Sequence, residues 1–266
     1  MTAQSVATPD YDAHHVPPLG GLNSTLLRLE IRRMFRNKRT LIFSLILPAV
    51  LFLLFGLNAS YVRERAGHGN VSAFILISMA LYAAMLATTT GGARVSIERA
   101  AGWSRQLRLT PLTPVAYIVV KLLSSLVLGL ASILVVFIVG ALSGKPSMPM
   151  YLWVVTGLCV WIGSLVFAAF GLFLGYVLPA ENVMQLLGVV LMLLGFAGGL
   201  FIPLSQYPQL LQDIAHFTPV YGLNQLVHVP LLGGSVHISW VLNAVAWLVI
   251  FAGAAIWRFR KDTARV

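Results

Sequence analysis

An all-α, polytopic membrane fold follows from three features of this 266-residue sequence. Hydrophobic residues make up 58% of it and charged residues 10%, which is too little polar surface to wrap a soluble domain of this length. Stretches at 41–59, 71–90, 115–142, 151–177, 183–203 and 238–257 are each apolar and long enough for a helix to cross a hydrocarbon core of about 30 Å. Their apolarity is continuous rather than alternating, which favours six transmembrane helices over barrel strands.

Residues 1–22 carry Asp10, Asp12, His14, His15, Pro17 and Pro18 without a basic start and apolar core. They read as a disordered cytoplasmic tail, not a signal peptide. Ser24 to Arg39 follows as an amphipathic interface helix. At about 100° per residue, Leu27, Ile31, Met34 and Phe35 share one face, while Arg28, Arg32, Arg36 and Arg39 share the next. One face suits acyl chains and the other phosphate headgroups. Leu26 and Leu29 fall off the stripe and Lys38 falls on it, so a plain basic flank of the first span is the alternative. The membrane domain occupies 23–260, and 261–266 form a short cytoplasmic tail.

Orientation follows from Lys and Arg in alternate loops. With the N-terminus inside, Arg28, Arg32, Arg33, Arg36, Lys38, Arg39, Arg94, Arg99, Arg105, Arg108, Lys121, Arg258, Arg260, Lys261 and Arg265 are cytoplasmic. Only Arg63, Arg65 and Lys145 fall outside, so both termini are expected in the cytoplasm. The net charge of +10 therefore belongs to membrane flanks and not to a nucleic-acid face.

The outer connection from Leu204 to Val236 is apolar in places. Leu210, Ile214 and Phe217 recur at helical spacing after Pro208 and before Pro219, and Tyr221 to Val229 offers a second short helix. Neither can span a bilayer. Two short re-entrant helices, dipping into the outer leaflet and shielded by protein, are the expectation.

The chemistry present is sparse. A P-loop needs Gly, four residues, then Gly-Lys-Ser/Thr; Gly140 to Pro146 is one residue short, ends in proline and lies outside. Within the spans, Lys121 stands alone among charged residues, about two turns from the cytoplasmic start of the third, where its stem can snorkel. Ion-coupled carriers or channels, which keep ionisable groups in their spans, are thereby disfavoured. Cys159, the single cysteine, reads as a buried hydrophobe. His216, His228 and His237 have no metal-ligand spacing and read as loop or interfacial histidines, and no catalytic constellation is present for a membrane enzyme. Gly140 with Gly144, Gly171 with Gly175, and Gly195 with Gly199 are small-xxx-small pairs that allow close helix approach within or between chains.

The cytoplasmic loop between the second and third spans carries the most information. Ile97 to Leu109 reads as a short basic helix stopped by Thr110-Pro111, with Pro114 starting the next span. A helix held there is placed to receive a push from a soluble partner; a positive-inside loop is the alternative.

The pattern Glu98, Gly102, Leu107 and Thr110-Pro111-Leu112 resembles the signature of the type-2 ABC transporter permeases. That family includes the daunorubicin-resistance type of drug exporter and the polysaccharide and Nod-factor exporters. The six-span layout, the amphipathic N-terminal helix and the outer Pro203, Pro208, Pro219, Tyr221 segment are also similar, over nearly all of Ser24 to Arg260. The resemblance implies a permease in the bacterial plasma membrane, paired with a second copy or paralogue and with a cytoplasmic ATPase that holds the ATP and magnesium. It implies that Glu98, Gly102, Arg105, Leu107, Thr110 and Pro111 belong to a coupling helix seated on the ATPase, and that the outer helices cap the pathway. The resemblance does not fix the cargo; the expectation is export of a hydrophobic or amphipathic compound, drug-like or lipid, with lipid-linked glycan or polysaccharide export as the alternative.

Overall fold

The computed structural model describes residues 21, 23–102 and 112–263, apart from the side chains of residues 39, 40, 114, 260, 262 and 263. The N-terminal tail, the segment 103–111 and the last three residues lie outside the described residues.

Asn23 opens α1 (Ser24–Arg36) by accepting from the Thr25 amide at 2.8 Å. Met34 is buried, Leu27 and Ile31 are half-buried, and Arg28, Arg32 and Arg36 are exposed, as the periodicity predicts. Phe35 departs from the stripe and is 40% exposed. The first span then runs through α2 (Lys38–Leu41), a π-helical turn at Ile42–Ile46 and α3 (Leu47–Gly56). Pro48 supplies the reason: it has no amide to offer the Ser44 carbonyl and its ring crowds that oxygen, so the helix widens by a turn. The helix ends at Gly56, short of the expected 59, and a separate α4 (Ala59–Arg63) follows.

A two-residue hairpin, β1 (Arg65–Ala66) with β2 (Gly69–Asn70), leads into α5 (Val71–Ala93), which continues as α6 (Val95–Ala100). The remaining helices are α7 (Pro114–Ser143), α8 (Met150–Gly163), α9 (Leu165–Val177), α10 (Ala180–Ala197), α11 (Gln209–Ala215), α12 (Pro219–Leu232) and α13 (Ile238–Thr263). Among the described residues five helices are long and apolar enough to cross a membrane: Val71–Ala100, Val115–Ser143, Met150–Val177, Ala180–Ala197 and Ile238–Phe259. The first predicted span is the shorter apolar helix Ile42–Gly56. The chain is thus an all-helical, multi-pass membrane protein.

Burial makes α5 the central pillar. Nearly all of it is covered, by α3, α7 and α9, whereas α10 and α13 leave broad apolar faces open. Small residues permit that depth of packing. A Cβ on Gly92 would strike the Ala168 carbonyl and the Leu172 amide, both at 2.6 Å, and one on Gly175 would press on the Ala93 backbone. Gly171 lies equally close to Thr89, whose hydroxyl donates to the Phe167 carbonyl at 3.2 Å. The Gly171/Gly175 pair therefore serves contact within the chain. Gly140 meets the Leu76 side chain, while Gly144 terminates α7 in the left-handed conformation, φ +63°. Gly195 packs on Phe201, and Gly199 turns the chain at φ +76°.

The hairpin end of the molecule differs from expectation in its depth. The fifth span, predicted over 183–203, is α10 and stops at Ala197. Phe201, just beyond it, stacks edge-on against Tyr82 with centroids 4.9 Å apart, and Tyr82 lies three turns along α5, about 16 Å from the hairpin. From that level α12 climbs back: Val220 at its start packs on Gly198, and the Leu231 carbonyl near its end accepts from the His68 amide at 2.7 Å. The short helix expected at Tyr221 to Val229 is thus 14 residues long and runs from the level of Gly198 back to the hairpin. Its shielding by protein is as expected. That of α11 is not, since Leu210, Ile214 and Phe217 are 71%, 52% and 78% exposed.

Candidate coupling site

Glu98 sits one turn into α6, with its side chain turned into the protein and 3% exposed. Its Oε1 lies 2.5 Å from Lys121 Nζ and 3.1 Å from Arg33 Nη1, and its Oε2 accepts from the Tyr117 hydroxyl at 2.6 Å. Lys121 Nζ also donates to Glu30 Oε1 at 2.5 Å. Three helices therefore meet in one charged cluster: α1 through Glu30 and Arg33, α6 through Glu98, and α7 through Tyr117 and Lys121. Arg94 lies close by, mostly buried, just above α6.

Local sequence explains each placement. Glu30 is the one acid of α1 and shares its inward stripe with Leu27 and Met34. Thr113 caps α7 by accepting from the Ala116 amide at 3.3 Å, and Pro114 occupies the first turn, which sets Tyr117 and Lys121 one turn apart on one face. Glu98 and Lys121, removed from water, are stable only because each finds a partner of opposite sign, whereas Arg33 reaches Glu98 from the half-exposed edge of the cluster.

The second attachment of α6 is to α9. Arg99 Nη1 donates to the carbonyls of Gly175 at 3.2 Å and Tyr176 at 3.0 Å, and Ser96 donates to the Leu178 carbonyl at 2.9 Å. A cation and a hydroxyl thereby satisfy the free carbonyls at the end of that span. Gly102 then closes the helix, with φ +76° and its amide bonded to the Arg99 carbonyl at 3.0 Å. Among the described residues no atom lies within 4 Å of where its Cβ would be, and the left-handed φ is itself a reason for glycine there.

These positions revise several expectations. Of the helix expected over Ile97 to Leu109, the first residues belong to α6, which continues α5; residues 103–109, with Arg105 and Leu107, and also Thr110 and Pro111, lie outside the described residues. Glu98 faces inward, so it anchors the loop to its own chain and offers no surface to a partner. Lys121 does not snorkel: it is 2% exposed, because two carboxylates reach it where it stands. Arg28, Arg32 and Arg36 line the exposed face of α1, and the Arg39 side chain is outside the description. Pro203, Pro208 and Pro219 each precede or open a helical turn, and Tyr221 stacks on His216 with centroids 4.4 Å apart. His228, read as a loop or interfacial histidine, is 2% exposed within α12. Its Nδ1 donates to the Asn224 carbonyl at 2.7 Å and its Nε2 meets Ser78 Oγ and the Phe74 carbonyl.

Sequence reasoning missed Glu30, Arg33 and Tyr117 as partners. A signal existed for Glu30, an acid on the apolar stripe of a basic helix. None existed for Tyr117, whose role depends on where Glu98 points.

The charged cluster joins the first interface helix to the stem of the loop that carries the signature residues. A family model described as "ABC-2 type transporter" matches residues 22–231, from the start of α1 into α12. The chain belongs to that family. It is also 29% identical over 238 residues to the Bacillus subtilis (strain 168) protein named "Putative transport permease YvfS", an alignment covering 88% of this chain and 96% of that protein. ABC-2 membership makes this chain the membrane subunit of a transporter and implies an ATPase partner. The α13 span lies beyond the matched region.

Proposed function

We propose that this chain is the permease of an exporter driven by a separate ATPase, with the loop after α6 as the contact through which hydrolysis moves the spans. The cluster of Glu98, Lys121, Glu30, Arg33 and Tyr117 carries the reading. A partner can shift a permease between two states only through contacts that differ between those states. A push on residues 103–111 enters α6 at Gly102 and passes through Glu98 to α1 and α7 together, and through Arg99 and Ser96 to α9. Four elements then move as one unit.

In this reading the α1 side is cytoplasmic in a bacterial inner membrane, the functional unit is a homodimer with two ATPases, and ATP and magnesium are bound by the partner. The cargo is a hydrophobic or amphipathic molecule, drug-like or lipid. The broad exposed apolar faces of α10 and α13 support a second copy and a lipid surround.

The test uses the chain coexpressed with its partner ATPase. Arg105→Cys in a Cys159→Ser background is expected to crosslink to that ATPase, and Gly102→Leu to insert normally while separating ATP hydrolysis from transport. A Gly102→Leu complex with full substrate-stimulated hydrolysis and export, together with no crosslink from residue 105, would remove this loop from the coupling path.

A further inference from the structure

The outer face of α1 carries an arginine groove with no acid of its own. Arg28, Arg32 and Arg36 follow one another at one-turn spacing, so like charges stack along the helix and repel. Leu29, Arg32, Arg33 and Arg36 line a groove of about 340 Å³, and among the described residues α1 alone lines it. Arg33 spends one nitrogen on Glu98 at 3.1 Å, and its side chain remains 54% exposed. Arg32 and Arg36 have no side-chain hydrogen bond or ion pair among the described residues. Glu30, the one acid of the helix, is turned the other way and is taken by Lys121. An anion is the complement this groove lacks.

Charge separates the stretches of this chain that lie outside the described residues. Residues 103–111 bring Arg105 and Arg108, and the last three bring Arg265; both stretches are basic. Residues 1–20 bring Asp10 and Asp12 with no lysine or arginine. They are also tethered at the right place. Asp12 stands nine positions before Gly21, a reach of about 30 Å when extended, and Arg36 lies about 20 Å along α1 from its cap. A link that short holds the carboxylates near the groove at an effective concentration of roughly millimolar, so a few charge-assisted contacts suffice to fill it.

We propose that Asp10 and Asp12 dock in this groove of their own chain, their carboxylates accepting from the guanidiniums of Arg32, Arg33 and Arg36. The tail then covers the arginine face of α1 and keeps phospholipid headgroups off it. Leu29, 58% exposed beside the arginines, gives the intervening Tyr11 an apolar surface to lie on. Because Arg33 also holds Glu98, the docked tail meets a guanidinium that belongs to the charged cluster. The proposal concerns only α1 and the residues before it, so it stands or falls apart from the exporter reading.

Zero-length coupling tests it on the full chain in phosphatidylcholine bilayers. A carbodiimide joins a carboxylate to an amine it touches, with loss of water, and leaves guanidiniums alone. Single Arg28→Lys, Arg32→Lys and Arg36→Lys variants therefore keep the charge and report contact. Purified yield and melting are checked first, and linked peptides are assigned by mass spectrometry. Coupling of Asp10 or Asp12 to positions 32 and 36 is expected to exceed coupling to position 28 several-fold, although 28 is nearer the tether. It is expected to persist when about a third of the lipid is phosphatidylglycerol. Equal yields at the three positions, or none, describe an unseated tail and overturn the proposal. So does coupling that phosphatidylglycerol abolishes, which gives the groove to lipid headgroups, or a link found only as a covalent dimer, which gives it to a second copy.

Discussion

The two ends of this membrane protein are held together by different chemistry. On the α1 side, α1, α6 and α7 are tied by charged side chains that reach across from separate helices: Glu30, Arg33, Glu98 and Lys121. On the hairpin side the ties run from neutral side chains to backbone. Asn70 receives the Ala73 and Ser147 amides on its carbonyl oxygen and donates to the Val62 and Lys145 carbonyls, clasping two loops at once. Asn224 donates to the carbonyls of Gly198 and Gly199, closing the chain where α10 ends. The contrast has a physical consequence. A buried ionic cluster depends on every member and is lost together, whereas side-chain bonds to backbone are local and individually modest. An end that must respond to a partner is suited by the first arrangement, and an end that holds re-entrant backbone below the membrane surface by the second.

Three sets of substitutions sharpen this comparison, in order of expected effect. Lys121→Met strands the Glu98 and Glu30 carboxylates and is expected to cost about 3–5 kcal/mol, read as a large loss of melting temperature in detergent. Adding Glu98→Gln to it is expected to restore part of that loss. A double variant as unstable as the single one would mean that the Lys121 stem, and not its charge, is what α7 needs. Asn224→Leu removes two donors at the α10 end and is expected to cost about 1–3 kcal/mol, without altering hydrogen exchange in α1. Protection lost in α1 as well would show the two ends to be one cooperative unit. Arg32→Gln with Arg36→Gln, both on the exposed face, is expected to change fold stability by less than about 0.5 kcal/mol. A larger effect would place these guanidiniums in the cluster alongside Arg33.

Membrane class, the approximate positions of the spans, the amphipathic α1 and the stop at Thr218-Pro219 were legible in the sequence, because each depends on local periodicity or on the backbone limits of proline. The π turn before Pro48 has the same local cause and could have been anticipated. Lys121 was legible as an intramembrane cation, but not its partners, since pairing Glu30 with a residue 91 positions away requires knowing which faces of α1 and α7 meet.

The depth of the re-entrant segment shows the boundary most clearly. Residues 198–203 are as apolar as the span before them, so hydropathy carries α10 through to Pro203. The helix stops at Ala197 because Gly199 admits a left-handed turn, the Asn224 side-chain amide donates to the Gly198 and Gly199 carbonyls, and Tyr82 offers Phe201 a surface. Composition determined that this chain enters the membrane and roughly where, since apolar transfer is summed residue by residue. Which backbone groups are released within the bilayer, and what satisfies them, was decided by packing, because a carbonyl can leave its helix there only when another part of the chain is positioned to bond it.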